Sequence, residues 1–206
     1  MYKIIVFCLL SNLIFAQNEL AKDLLKNLNY QTQLYKNITI EFEFILENKA
    51  QNIYEKENGI FILENNKFRI ELNNQIIINN TETQWIYIKD INELQIMNHD
   101  PEENSISPKK IFTISEEDYK YSYIGKKTEN NKNLEVIDLF SKESTDFMKV
   151  QLEINSNKNQ LHKIIMFDKN NGTYTYIIKN FITNQEIKPF NFNTSNYSNI
   201  EIIDLR

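Results

Sequence analysis

From Ile38 onward the apolar residues of this 206-residue chain recur at every second position. A period of two sends alternate side chains to opposite faces of an extended strand, so it rules out an all-helical fold. Ile38, Ile40, Phe42, Phe44 and Leu46 share one face; Thr39, Glu41 and Glu43 share the other, which Ile45 interrupts. Met148, Val150, Leu152 and Ile154 alternate with Lys149, Gln151 and Glu153 in the same way. The pattern predicts strands over 38–46, 54–63, 67–72, 75–79, 83–88, 93–98, 119–126, 133–140, 147–154, 161–168 and 173–181. Breaks as short as Asn73-Asn74 separate them, and strands joined so tightly run antiparallel.

Two segments depart from this period. Over 18–35, Leu20, Leu24, Leu25, Leu28, Leu34 and Tyr35 fall at spacings of three and four, opposite Lys22, Asp23, Lys26 and Asn27. That is an amphipathic helix. The break from His99 to Ser115 is long and holds Pro101 and Pro108. Within it Ser107 is placed to cap a short helix that has Pro108 at its first position. The expected fold is therefore mainly β (α+β). It is a curved antiparallel half-barrel sheet of about eleven strands, with an N-terminal amphipathic helix and a short lid helix over an apolar concave face. The pattern leaves two readings of that face open: a filled sandwich core, or an apolar cavity. The candidate lining residues are Phe42, Phe44, Ile62, Ile70, Trp85, Tyr87, Met148 and Leu152, with Ile111 and Phe112 on the lid. Trp85 and Tyr87 alternate with Ile86 and Ile88, so that strand offers an apolar residue to either face.

The first sixteen residues read as an address. Lys3 precedes an apolar run, Ala16 supplies a small residue for cleavage, and Gln17-Asn18-Glu19 follow. This is the pattern of a secretory signal peptide, too short in its apolar core to remain as a membrane span. Cys8 leaves with it, so residues 17–206 are expected as one domain without a cysteine, held by its core rather than by disulfides. Loss of Lys3 takes the net charge from −5 to −6. An acidic chain without a basic stripe is not expected to bind nucleic acid or an anionic membrane surface. With three glycines, no dinucleotide or P-loop fingerprint can be written.

The search for catalytic chemistry returns little. His99 and His162 are the only histidines, and no hydrolase, zincin or paired metal-ligand spacing is present. Asp90, Glu135 and Asp138 lie in or beside strand sequence, where the ordinary reading of a carboxylate is a solvated face. His162 reads as a satisfied structural histidine. No enzyme, cofactor or metal is expected.

Several local strings then resemble a known family in order and spacing. Gly59-Ile60-Phe61-Ile62-Leu63 is followed by Phe68-Arg69-Ile70, by Gln84-Trp85-Ile86-Tyr87, by Ser107-Pro108-Lys109-Lys110-Ile111-Phe112, and near the end by Phe190-Asn191-Phe192 and Ile200-Glu201-Ile202-Ile203-Asp204. Together they resemble LolA, the periplasmic carrier of outer-membrane lipoproteins, over nearly the whole mature chain. There are departures. Glu64-Asn65-Asn66 stands where the family often has K-R-P, whose arginine fastens the lid; Asn65 cannot do so by charge. Ile70 replaces a frequent Trp, and Asn80-Thr81 replaces a D-G turn. The resemblance implies a monomeric, non-enzymatic carrier in the periplasm that shelters the acyl chains of lipoproteins. It would receive them from an inner-membrane ABC-type release complex for an outer-membrane acceptor. Two other classes stand beside it: an exported sensor or adhesion module with a filled core, and an exported enzyme acting on a small ligand.

Overall fold

The computed structural model describes residues 19–100, 119–142 and 147–206. The signal segment 1–16 and the lid residues Ile111 and Phe112 lie outside the described residues. Helix α1 spans 19–33. Its buried residues are Ala21, Leu24, Leu25 and Leu28; of the expected stripe, Leu20 and Leu34 are exposed. No helix among the described residues is long and apolar enough to cross a membrane.

Twelve strands follow: β1 (Ile38–Asn48), β2 (Ile53–Glu64), β3 (Lys67–Glu71), β4 (Gln75–Asn79), β5 (Thr83–Ile88), β6 (Glu93–Asn98), β7 (Tyr119–Glu129), β8 (Lys132–Ser141), β9 (Phe147–Asn155), β10 (Gln160–Asp168), β11 (Thr173–Thr183) and β12 (Glu201–Asp204). They form an open sheet in the order β12-β6-β5-β4-β3-β2-β1-β11-β10-β9-β8-β7. The first eleven match the predicted segments. The twelfth lies in the string Ile200–Asp204 and pairs parallel to β6, with Ile202 opposite Leu94. Residues 184–200 lead from β11 to it.

The hairpins are built almost without glycine. Ten non-glycine residues adopt positive φ among the described residues, and all but Thr81 are asparagines. Asparagine tolerates the left-handed region because its short amide bonds locally to the backbone. Asn65, in place of the family's arginine, is the left-handed residue of the β2–β3 turn, with φ of 53°. At the β4–β5 turn, Thr81 holds φ of 79°, a strained choice for a β-branched residue. Its N–H donates to Asn79 Oδ1 at 2.8 Å, and Asn80 Oδ1 accepts from the N–H groups of Glu82 and Thr83.

The chain divides into two compact units. The first contains described residues 19–34, 46–54, 119–142 and 147–176. One face of its sheet carries a buried apolar layer. Ile137 lies opposite Leu152 and Leu139 opposite Val150, while Ile164 and Met166 continue the layer on β10. Leu152 is 0% exposed. The other face of β9 carries Lys149, Gln151 and Glu153, ion-paired or hydrogen-bonded to residues on β7, β8 and β10. The second unit contains described residues 35–45, 55–100 and 177–206.

Candidate functional site

Strand register within the second unit sorts its apolar residues onto two faces, since paired residues point the same way. On one face Phe61 is opposite Ile70 and Leu63 opposite Phe68. Ile70 is in turn opposite Ile77, and Ile77 opposite Ile86. Phe42 joins them from β1, because its ring fills the space over Gly59. A Cβ built on Gly59 would collide with Phe42 and come within 2.9 Å of Leu72 Cδ2. Glycine is required there for close approach, not for an unusual φ. Phe44 follows Phe42 on the same face and is half-buried, and the Phe61 and Phe68 rings lie 6.4 Å apart. A cavity of about 470 Å³ is lined by Ile60 and Glu71, which point to the opposite face, together with Phe42, Gly59, Leu72 and Lys179.

The opposite face of the same strands is covered by the chain itself. Ile62 pairs with Arg69, Arg69 with Ile78, Ile78 with Trp85, and Ile76 with Tyr87. Arg69 Nη2 donates to the Pro189 carbonyl at 2.8 Å. The Tyr87 ring meets Phe192 at 5.2 Å and Tyr197 at 4.6 Å, and those two stack at 4.8 Å. The Tyr87 hydroxyl donates to Asn92 Oδ1 at 2.9 Å, and Asn92 Nδ2 donates to the carbonyls of Ser198 and Asn199. Burial pushes the Tyr197 hydroxyl pKa above its ordinary value. Arg69, Ile76, Ile78, Phe192 and Tyr197 line a second cavity of about 560 Å³ together with Lys188.

The eight candidate lining residues therefore do not share a face. Phe42, Phe44 and Ile70 lie on the first face of the second unit. Ile62, Trp85 and Tyr87 lie on the face that carries the C-terminal segment, and Tyr87 anchors that segment. The reason is the two-sided apolar pattern of β2 and β5, which leaves parity undetermined until register fixes it. Leu152 is core of the first unit, and Met148, near the start of β9, is 53% exposed. Phe61, Phe68, Ile77 and Ile86 complete the first face. The available signal was Gly59: a glycine inside a strand marks a close approach, and it shares parity with Phe61 rather than Ile62.

The strand carboxylates also depart from the solvated reading. Glu135 and Asp138 are buried. Tyr123 donates to Glu135 at 2.6 Å and Lys126 lies 3.2 Å from it. Burial, reinforced by Glu135, pushes the Tyr123 hydroxyl to a pKa of about 12. Asp138 accepts from Lys149 at 2.9 Å and from Gln151 at 2.7 Å. Both carboxylates are thus occupied by partners. His162 is buried, but its Nε2 has no hydrogen-bond partner among the described residues, so it is not a satisfied histidine. Burial and the charge of Lys132 hold its imidazole below the ordinary pKa.

An open, mainly antiparallel sheet of twelve strands preceded by one helix defines the fold class. The family model described as outer membrane lipoprotein carrier protein LolA matches residues 33–195, and the chain belongs to that family. Among solved structures, an uncharacterized conserved protein from Thermus thermophilus shares the fold. Its TM-score is 0.58 at 10% identity, covering 89% of this chain and 98% of that one. A putative outer membrane lipoprotein-sorting protein domain from Vibrio parahaemolyticus is similar with a TM-score of 0.46 at 8% identity, covering 84% of this chain and 97% of that one. A LolA superfamily protein from Nitrosomonas europaea has a TM-score of 0.45 at 10% identity, with 81% and 94% covered. No curated protein matches the chain in sequence.

Proposed function

We propose that this protein is a periplasmic, non-enzymatic carrier that shelters the acyl chains of lipoproteins on the first face of its second unit. It takes them from an inner-membrane ABC-type release complex and passes them toward the outer membrane. The observation that supports this best is the run of Phe42, Phe44, Phe61, Phe68, Ile70, Ile77 and Ile86 on one face of adjacent strands. Membership of the LolA family supports the same reading. A lipidated protein cannot cross water with its chains exposed. Each buried CH₂ contributes about 0.8 kcal/mol, so one chain of ordinary length gains on the order of 10 kcal/mol. A face of aromatic and branched side chains supplies that burial without fixing the position of any single carbon, which suits a load that must later be released.

The test is organic extraction of the protein purified from the periplasm, followed by mass spectrometry, together with titration by a triacylated lipopeptide. The expected result is co-purifying acylated material and saturable binding that the unacylated peptide does not show. Absence of both would refute the carrier reading.

A further inference from the structure

Three strands of the first unit bring together residues that are far apart in sequence. Glu129 ends β7, Glu153 lies on β9, and His162 lies on β10 where the β9–β10 register shifts between Leu161 and Lys163. One potential ligand atom from each lies within 4.8 Å of the other two. His162 Nε2 is 3.8 Å from Glu129 Oε1. Lys127 occupies the outer oxygens, at 3.0 Å from Glu129 Oε2 and 2.7 Å from Glu153 Oε1. Lys163 is 3.3 Å from Glu129 Oε2 and 3.5 Å from Glu153 Oε2.

Two buried side-chain atoms in this cluster have no hydrogen-bond partner among the described residues: Glu153 Oε2 and His162 Nε2. The Glu153 side chain is 4% exposed and that of His162 is 7% exposed. Leaving such buried atoms without a hydrogen bond is costly, more so where the group is charged. Both belong to the same three-residue group, so one ligand answers both.

We propose that Glu129, Glu153 and His162 form a binding site for a divalent transition-metal cation of the zinc class, with solvent completing its coordination. One imidazole nitrogen with two carboxylate oxygens is a zinc-type donor set, whereas calcium takes six to eight oxygens. Bonds of about 2.0–2.2 Å at tetrahedral angles place donor atoms roughly 3.3–3.5 Å apart. The 3.8 Å separation therefore needs only a small contraction. Lys127 and Lys163 act as positioning residues: they pair with Glu129 Oε2 and with the two Glu153 oxygens, and leave Glu129 Oε1 toward His162 Nε2. Their charge also opposes the cation, so affinity falls below that of a closed structural zinc site. The ion would fasten β7, β9 and β10 to one another. This inference stands independently of the carrier reading.

The experiment is calorimetric titration of the metal-stripped full chain with zinc chloride, using wild type, His162→Gln, Glu153→Gln and a His99→Gln control, each checked for fold by circular dichroism. The expected result is one ion per chain in wild type and control, and at least tenfold weaker binding in the other two. Zinc should also raise the melting midpoint of wild type and not of His162→Gln. No binding by wild type, or affinity unchanged in His162→Gln, overturns the proposal. Should the two variants fail to fold, imidazole nitrogen resonances of wild type, assigned against His99→Gln, decide it. A large Nε2 shift of His162 on adding zinc supports the site, and an unmoved resonance overturns it.

Discussion

Strands β9 and β5 carry similar apolar content and use it in opposite ways. In β9 the apolar residues Val150, Leu152 and Ile154 are all on one face, and the charged face is locked by Lys127, Lys163 and Asp138. In β5 both faces are apolar, with Trp85 and Tyr87 against Ile86 and Ile88. A one-sided strand needs one cover and makes a rigid support. A two-sided strand needs two, and here the C-terminal segment covers the Tyr87 side. Its other face is the surface assigned to cargo. Under the proposed function, the comparison separates a region built for stability from one built for binding.

Truncation of the β9 core should give the largest effect. Leu152 is 0% exposed, so Leu152→Ala should cost about 2–5 kcal/mol of unfolding free energy in urea. Lipopeptide affinity per folded molecule should not change. A loss of affinity as large as the loss of stability would erase the distinction between the two regions.

Overfilling the face of the second unit should act in the reverse sense. Gly59→Val pushes into the Phe42 ring and Leu72. It should weaken lipopeptide binding about tenfold, a change of about 1.4 kcal/mol, while stability falls by about 1–3 kcal/mol. Unaltered binding would show that Phe42 is not part of the cargo surface.

The smallest effect belongs to the edge strand β7. Tyr123→Phe removes the 2.6 Å bond to Glu135 and should cost about 1 kcal/mol. The sign of its pH dependence follows from the raised pKa. The folded state holds the Tyr123 proton up to a pKa of about 12, against an ordinary value of 10.0. Its contribution is complete below pH 10 and is lost as pH rises from 10 to 12. Urea midpoints of wild type and variant should stay apart below pH 10 and converge above it. A constant gap across that window would contradict the assignment.

Eleven strands and the helix were legible because apolar-rich segments alternate with short polar breaks along the chain. The same reading failed on parity. Nothing in Ile60-Phe61-Ile62-Leu63 says which pair faces the ligand, and pairing with Phe68-Arg69-Ile70 decides it. Strand β12 was hidden because four residues carry little pattern and its parallel partner lies far back in the chain. The His162 cluster was invisible for a related reason. Its three members come from separate strands, and only register together with the β10 irregularity makes them neighbours. The turns were legible without glycine, and asparagine takes their left-handed positions.

The central claim is that acyl chains occupy the Phe42–Ile70 face of the second unit. It is tested most directly by photocross-linking, with a benzophenone amino acid placed singly at Phe44, at Ile62 and at Met148. Each protein is irradiated with a triacylated lipopeptide and the adduct is mapped by mass spectrometry. The account predicts acyl-chain adducts from position 44, and none from the oppositely directed 62 or the exposed 148. Adducts from position 62 alone, or from none of the three while binding persists, would contradict it.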